Sequence, residues 1–185
     1  MPVRPEELLG QALDGDESAF VALLDLLEQP VYAYFRRRRV SPEDAEDLTQ
    51  QVFLALLNAG ARFDERRGVL RGFVFGIARR VWLKHMTSSG RLPSSLPTEV
   101  MDASSETPDS AADRAEQSAL VVAAIDGLPA RARDVLTLRF HQGLSIAEIA
   151  DAMSLPENTV KSHLFRARTQ LRERIGAKLD IKEGH

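Results

Sequence analysis

The chain has 185 residues, no cysteine and a formal net charge of −3, with 44% hydrophobic and 28% charged residues. That length fits one ordinary domain or two small ones with real apolar cores, and the absence of cysteine excludes disulfides and thiolate metal sites. No apolar run approaches the roughly 20 residues that span a bilayer, and the first residues carry no signal-peptide core, so a cytoplasmic chain without membrane insertion is expected.

The net charge conceals blocks of opposite sign. Residues 1–30 carry seven acids against one arginine, and residues 99–118 carry six against one. Residues 62–91 hold eight Lys/Arg against two acids. Basic charge gathered in one block is the footprint of a nucleic-acid binder, and the acidic total does not argue against it.

In chain order, the spacing predicts a short helix over Glu6–Leu13 that ends near Gly15. Asp16 or Ser18 caps a second helix with Phe20, Leu23, Leu24 and Leu27 as its apolar stripe. Val31, Tyr34 and Phe35 continue the helical pattern beyond Pro30, which marks a kink or a restart. The arginines Arg36–Arg39 read as a solvated surface cluster, with phosphate contact as the functional alternative. Ser41-Pro42-Glu43 is a strong helix start, with a capping hydroxyl, a proline in the first turn and an acid at the positive end of the dipole. That helix runs from about Pro42 to Asn58, with Ala45, Leu48, Val52, Ala55 and Leu56 toward a core. Asp44, Asp47 and Gln51 line a second side next to Phe53 and Leu54. Such a face is either solvated or docked on a protein partner. Asp44, Glu46 and Asp47 do not make a metal site, because no histidine or further carboxylate joins them at ligand spacing.

A charged loop, Arg62–Gly68, leads to a helix over Val69–Met86. Leu70, Val74, Ile77, Val81 and Met86 are expected inside. Arg71, Phe73, Arg79, Arg80 and Lys84 are left partly or wholly outside, while Trp82 and His85 fit neither side cleanly. Basic residues mixed with aromatics suit a surface that follows phosphates and stacks on unpaired bases; the plainer alternative puts Phe73, Phe75 and Trp82 in the core. Thr87 to about Ala112 is rich in Ser, Pro, Thr, Asp and Glu and reads as a linker. Order resumes near Ala115, with Leu120, Val121, Ala124, Ile125 and Leu128 on one helix and Val135, Leu136, Leu138 and Phe140 on the next, Ala130–His141.

The last two predicted helices carry the clearest signal. Ile146, Ile149, Ala150 and Met153 form an apolar face, and Ser145 with Glu148 makes a capping box. Ser154-Leu155-Pro156 breaks the pattern. A second helix then buries Val160, Leu164, Ala167, Leu171 and Ile175. Asn158, Ser162, Phe165, Arg166 and Thr169 fall opposite, with Lys161 and Arg168 on one flank. Short polar groups and guanidinium forks on the second of two tightly turned helices suit major-groove reading. The expected architecture is all-α, two small helical units joined by a tether.

The chain resembles the extracytoplasmic-function sigma factors, small subunits of bacterial RNA polymerase. The N-terminal likeness rests on G-D-E-S-A-F at Gly15–Phe20, A-E-D-L-T-Q-Q-V-F at Ala45–Phe53 and I-A-R-R at Ile77–Arg80. The C-terminal likeness rests on L-P-A-R-A-R-D-V-L at Leu128–Leu136, E-I-A at Glu148–Ala150 and T-V-K-S-H-L-F-R-A-R at Thr159–Arg168. The resemblance implies a sigma region 2 bundle over residues 1–88, a linker over 89–114, a region 4 helix-turn-helix over 115–178 and a tail over 179–185. It implies that Asp44, Glu46, Asp47, Leu48, Gln51 and Phe53 dock on the clamp helices of the largest subunit of core RNA polymerase, with the flap region as a further contact. Phe73, Arg79, Arg80 and Lys84 would open and read the minus-ten element as single-stranded DNA. Asn158, Thr159, Lys161, Ser162, Phe165, Arg166 and Arg168 would read the minus-thirty-five element as duplex. The polymerase carries out phosphoryl transfer, so no catalytic residue, metal or cofactor is implied, and an anti-sigma factor is a further partner class. Phe73 stands where the family often has Trp, Arg80 where it often has Asn, Ser154 in place of a usual Gly and His163 in place of a common Arg. The competing function is a stand-alone helix-turn-helix transcriptional regulator, which would bring an N-terminal sensor domain with strands.

Overall fold

The computed structural model describes residues 4–66, 68–88 and 120–182. The acidic segment read as a linker falls largely outside them. Helix α1 is Pro5–Leu13, α2 Glu17–Arg36, α3 Pro42–Ala59 and α4 Leu70–Ser88, with a 3-10 turn at Gly60–Arg62 after α3. Residues 120–126 form α5, and α6, Ala130–Leu136, runs into a π-helical turn at Thr137–His141. Helix α7 spans Ile146–Met153 and α8 spans Glu157–Lys182. No strand occurs among the described residues.

The helix starts follow local chemistry. The Asp16 carboxylate accepts from the Ser18 and Ala19 amides, and the Ser41 hydroxyl accepts from the Asp44 amide at 3.1 Å. At α7 both halves of the capping box form: the Glu148 amide donates to the Ser145 hydroxyl, and the Ser145 amide donates to the Glu148 carboxylate at 2.6 Å. Each such cap contributes about 1 kcal/mol. Ser154 closes α7 in the left-handed region at φ 53°.

Pro30 lies inside an unbroken α2. A proline in a helix interior costs about 3 kcal/mol, but Leu23 and Leu27 before it and Val31, Tyr34 and Phe35 after it are all buried on one face. Burial stabilises by about 1.5–3 kcal/mol for each large apolar side chain, so the continuous helix wins over a restart.

The N-terminal bundle α1–α4 and the C-terminal helices do not stand apart. One apolar core joins Leu23, Phe35, Val52 and Phe75 of the first unit to Leu138, Ile149 and Val160 of the second, while Leu128, Ala132, Leu136 and Ala167 form a smaller core between α6 and α8. The widest contact between the units is α4 against α7. That contact runs along Gly72 and Gly76 of α4, while Phe75, its ring against Tyr34, and Trp82, beside Arg38, are buried together with the expected Leu70, Val74, Ile77 and Met86, and Val81 is half-buried.

The arginine cluster departs most from a solvated patch. Arg38 is 7% exposed, lies over the Tyr34 ring at 3.6 Å and pairs with Asp134 at 2.7 Å. Arg37 and Arg38 also bear on His141, whose imidazolium is disfavoured by burial first and by these two charges next, so its pKa sits below the ordinary histidine value. The unfolded chain then takes up the proton first as pH drops. Stability should be full above about pH 6.5 and decline below it. A urea series at pH 7.5 and 5.5 should show a lower midpoint at the acid end, and His141→Gln should flatten that difference.

Candidate functional site

Helix α8 is positioned by one buried seam. Val160 and Ala167 are fully covered, and Leu164 and Leu171 pack half-buried against the same side. The opposite side is therefore fixed toward solvent. Asn158, Lys161, Phe165, Arg166 and Arg168 are exposed, Phe165 at 72%, while Thr159 and Ser162 are half-buried. The Ser162 hydroxyl donates back to the Asn158 carbonyl at 2.8 Å, leaving its lone pairs outward. Lys161 lies 3.8 Å from Glu157, both exposed, a contact that holds little energy. Arg168 reaches over the exposed Phe140 ring at 5.6 Å. Five of the seven residues expected to meet the minus-thirty-five element are thus exposed on α8, and two are half-buried. His163 sits among them, held toward the neutral form by burial and by Arg166 and Arg131.

The α3 surface divides. Asp44, Glu46, Asp47 and Gln51 are exposed. Leu48 is 3% exposed and belongs to the core, because it shares the buried stripe of Ala45 and Val52, so it cannot offer a docking surface in this state. Phe53 is 4% exposed, but it lines a groove between α2 and α3 of about 730 Å³ together with Phe20, Leu24, Tyr32 and Leu57. Leu54, 62% exposed, stands at that groove. The sequence set omits Leu54 although its position next to the acids marks it.

The minus-ten set is not gathered on one open face. Arg80 and Lys84 are exposed. Phe73 is half-buried against Phe63, ring centroids 5.5 Å apart. Arg79 is turned into an ion pair with Asp134 at 3.4 Å, its side chain 19% exposed. A cavity of about 200 Å³ lies between the units, with Arg62, Phe73 and Arg80 on one side and Glu148 and Asp151 on the other. In this conformation α7 packs along the Gly72 and Gly76 side of α4.

Two family models match in this order: Sigma-70 region 2 over residues 23–92 and Sigma-70 region 4 over residues 118–171. The chain is 30% identical over 165 residues to the ECF RNA polymerase sigma factor SigX of Bacillus subtilis, covering 86% of this chain and 84% of that protein. The chain belongs to the extracytoplasmic-function RNA polymerase sigma factors. It is also 31% identical over 166 residues to the ECF sigma factor BldN of Streptomyces coelicolor, covering 89% of this chain but spanning 63% of BldN. The fold agrees with that of the sigma factor RpoE of Bartonella quintana, solved in complex with the anti-sigma factor NepR. That likeness has a TM-score of 0.63 at 21% identity, over 85% of this chain and 96% of that one. As a sigma factor the chain directs transcription initiation. No described helix is long and apolar enough to cross a membrane.

Proposed function

We propose that this sigma factor works in the cytoplasm and divides its task between two units, residues 1–88 and 115–178, tethered by residues 89–114 and followed by a tail over 179–185. The first unit docks on core RNA polymerase at the clamp helices of the largest subunit and captures the minus-ten element as single strand. The second sits at the flap region and reads the minus-thirty-five element as duplex. Polymerase supplies the chemistry, so the sigma subunit acts as a non-enzymatic specificity factor. An anti-sigma factor belongs to the same reading, as for RpoE of Bartonella quintana bound to NepR.

The observation that carries the reading is the outer face of α8: polar and basic groups from Asn158 to Arg168 exposed above a seam of Val160 and Ala167. A tethered pair gains effective concentration, so neither unit has to bind tightly alone. Unstacked bases captured on aromatic and basic side chains contribute roughly 1–3 kcal/mol each, enough to bias melting. The docking surface is Asp44, Glu46, Asp47 and Gln51 around Leu54, with Phe53 in the groove floor. The minus-ten set is Phe73, Arg79, Arg80 and Lys84 once α7 has moved away.

Arg166 separates base reading from phosphate holding. If it forms a bidentate contact with a base edge, Arg166→Ala costs about 1–3 kcal/mol of discrimination at one promoter position. Competition binding against single-position promoter variants measures this. An equal loss on every sequence would demote Arg166 to a phosphate contact.

A further inference from the structure

We propose that the free sigma factor closes on itself: α7 of its own helix-turn-helix lies on the minus-ten helix α4, and Asp134 occupies Arg38 and Arg79 as a strand phosphate would. The masking rests on reading α4 as the strand-capturing helix; the closed contact itself does not.

The seam is built for close approach. Gly72 and Gly76 sit one turn apart on α4, facing Glu148 and Ala152, themselves one turn apart on α7. A Cβ at Gly72 would lie 3.1 Å from the Glu148 Cβ, and one at Gly76 would lie 3.3 Å from the Ala152 Cα. The two helices thus touch in matched register, with no side chain between them on the α4 side. Glycine in a helix interior is unfavourable on propensity alone, so two of them facing one partner helix answer to the contact and not to α4 by itself.

Charge follows the same division. The C-terminal unit sets Asp134, Glu148 and Asp151 against the N-terminal unit's Arg38, Arg79, Arg62 and Arg80, the first two in ion pairs with Asp134 and the others across the cavity. Asp126 adds a long contact to Arg39 at 3.9 Å. Asp134 thus engages Arg38 and Arg79, and Glu148 and Asp151 set negative charge across the cavity from Arg62 and Arg80, which stay exposed, while the outer face of α8 remains open. Closure is selective: it hides single-strand capture and leaves duplex reading available.

The latch is also built to release. The Tyr34 hydroxyl, Arg37 Nε and Trp82 Nε1 are buried with no hydrogen-bond partner among the described residues. Tyr34 feels the charges of Arg38, Asp134 and Arg79, which places it beside the buried ion pairs. To the extent that parting the units returns such groups to water, their unpaired burial opposes closure. A docking partner that holds the units apart has only the difference to overcome.

The chain has no cysteine, so a reversible lock can be installed cleanly. In the double variant Gly72→Cys/Glu148→Cys, the 3.1 Å Cβ separation falls a few tenths of an ångström short of the roughly 3.5–4.5 Å a disulfide spans, so a slight easing of the two helices admits the bond. Mild oxidation of the free protein should cross-link it efficiently. The probes are fluorescein-labelled random-sequence 20-mers, one single-stranded and one duplex, at fixed salt. The oxidised protein should bind the single strand at least about tenfold more weakly than the same protein after reduction, a free-energy difference of about 1.4 kcal/mol. Duplex binding should change less than about twofold. Gly76→Leu, which improves helix propensity but pries the seam, should strengthen single-strand binding relative to wild type. Failure to cross-link the free protein overturns the closed form. Efficient cross-linking with unchanged single-strand binding overturns the masking alone. Single-strand binding absent from the reduced variant, Gly76→Leu and wild type alike overturns the strand-capturing role of α4, and the masking with it.

Discussion

Asp134→Ala should part the two units without unfolding either. Its carboxylate serves Arg38 at 2.7 Å and Arg79 at 3.4 Å, and Arg38 is nearly fully buried. Removing one partner of a buried ion pair normally costs about 3–5 kcal/mol, since a charge is left without compensation. Here the penalty has an escape. Arg38 lies in the turn just past α2 and stacks on Tyr34 of its own unit, so separating the units returns its head to water with the N-terminal core intact. The cost is then limited to whatever the closed contact itself contributes. Small-angle scattering should show the radius of gyration rising above the roughly 16 Å of a compact chain of this length. Hydrogen exchange in α3 should stay slow while the seam residues of α4 and α7 lose protection. One cooperative unfolding transition weakened by the full 3–5 kcal/mol would show instead that the units cannot part.

Leu54→Arg should abolish tight binding to core polymerase while leaving the fold unchanged. Leu54 is 62% exposed and contributes little to the core, so substitution there is expected to stay within about 0.5 kcal/mol of wild-type stability. At an interface the same change puts a desolvated charge against an apolar surface. Central interface positions of this kind cost 2 kcal/mol or more, about thirtyfold in Kd. Fluorescence titration of core polymerase reads the loss, and thermal melting of the free variant controls for folding. Binding within threefold of wild type would move the docking surface away from α3.

The local structure was largely legible in the residues. Caps at Asp16, Ser41 and Ser145 are short-range chemistry, and the α8 seam at Val160 and Ala167 repeats at helical spacing, so both appear where the pattern puts them. Tertiary contacts were not legible in the same way. Leu48 and Phe53 lie next to exposed acids in sequence but turn inward, because α3 packs on α2 and α4 together. Arg38 reads as one of four surface arginines, yet its partner Asp134 is 96 residues away. Phe75 and Trp82 cannot be placed by periodicity, since α4 is covered on two sides and keeps no single polar face. The signal for that second covering is present as Gly72 and Gly76, four apart on one helix, but their partner is Glu148 and Ala152 of α7. Nothing within α4 names it.

The most direct measurement is in-vitro transcription with purified core RNA polymerase on a pool of promoter fragments, with and without this protein. The account predicts that adding the protein produces discrete start sites, each preceded by two shared sequence elements at a fixed separation, and that Leu54→Arg removes them. Core polymerase that gains no start-site choice from the wild-type chain would contradict it.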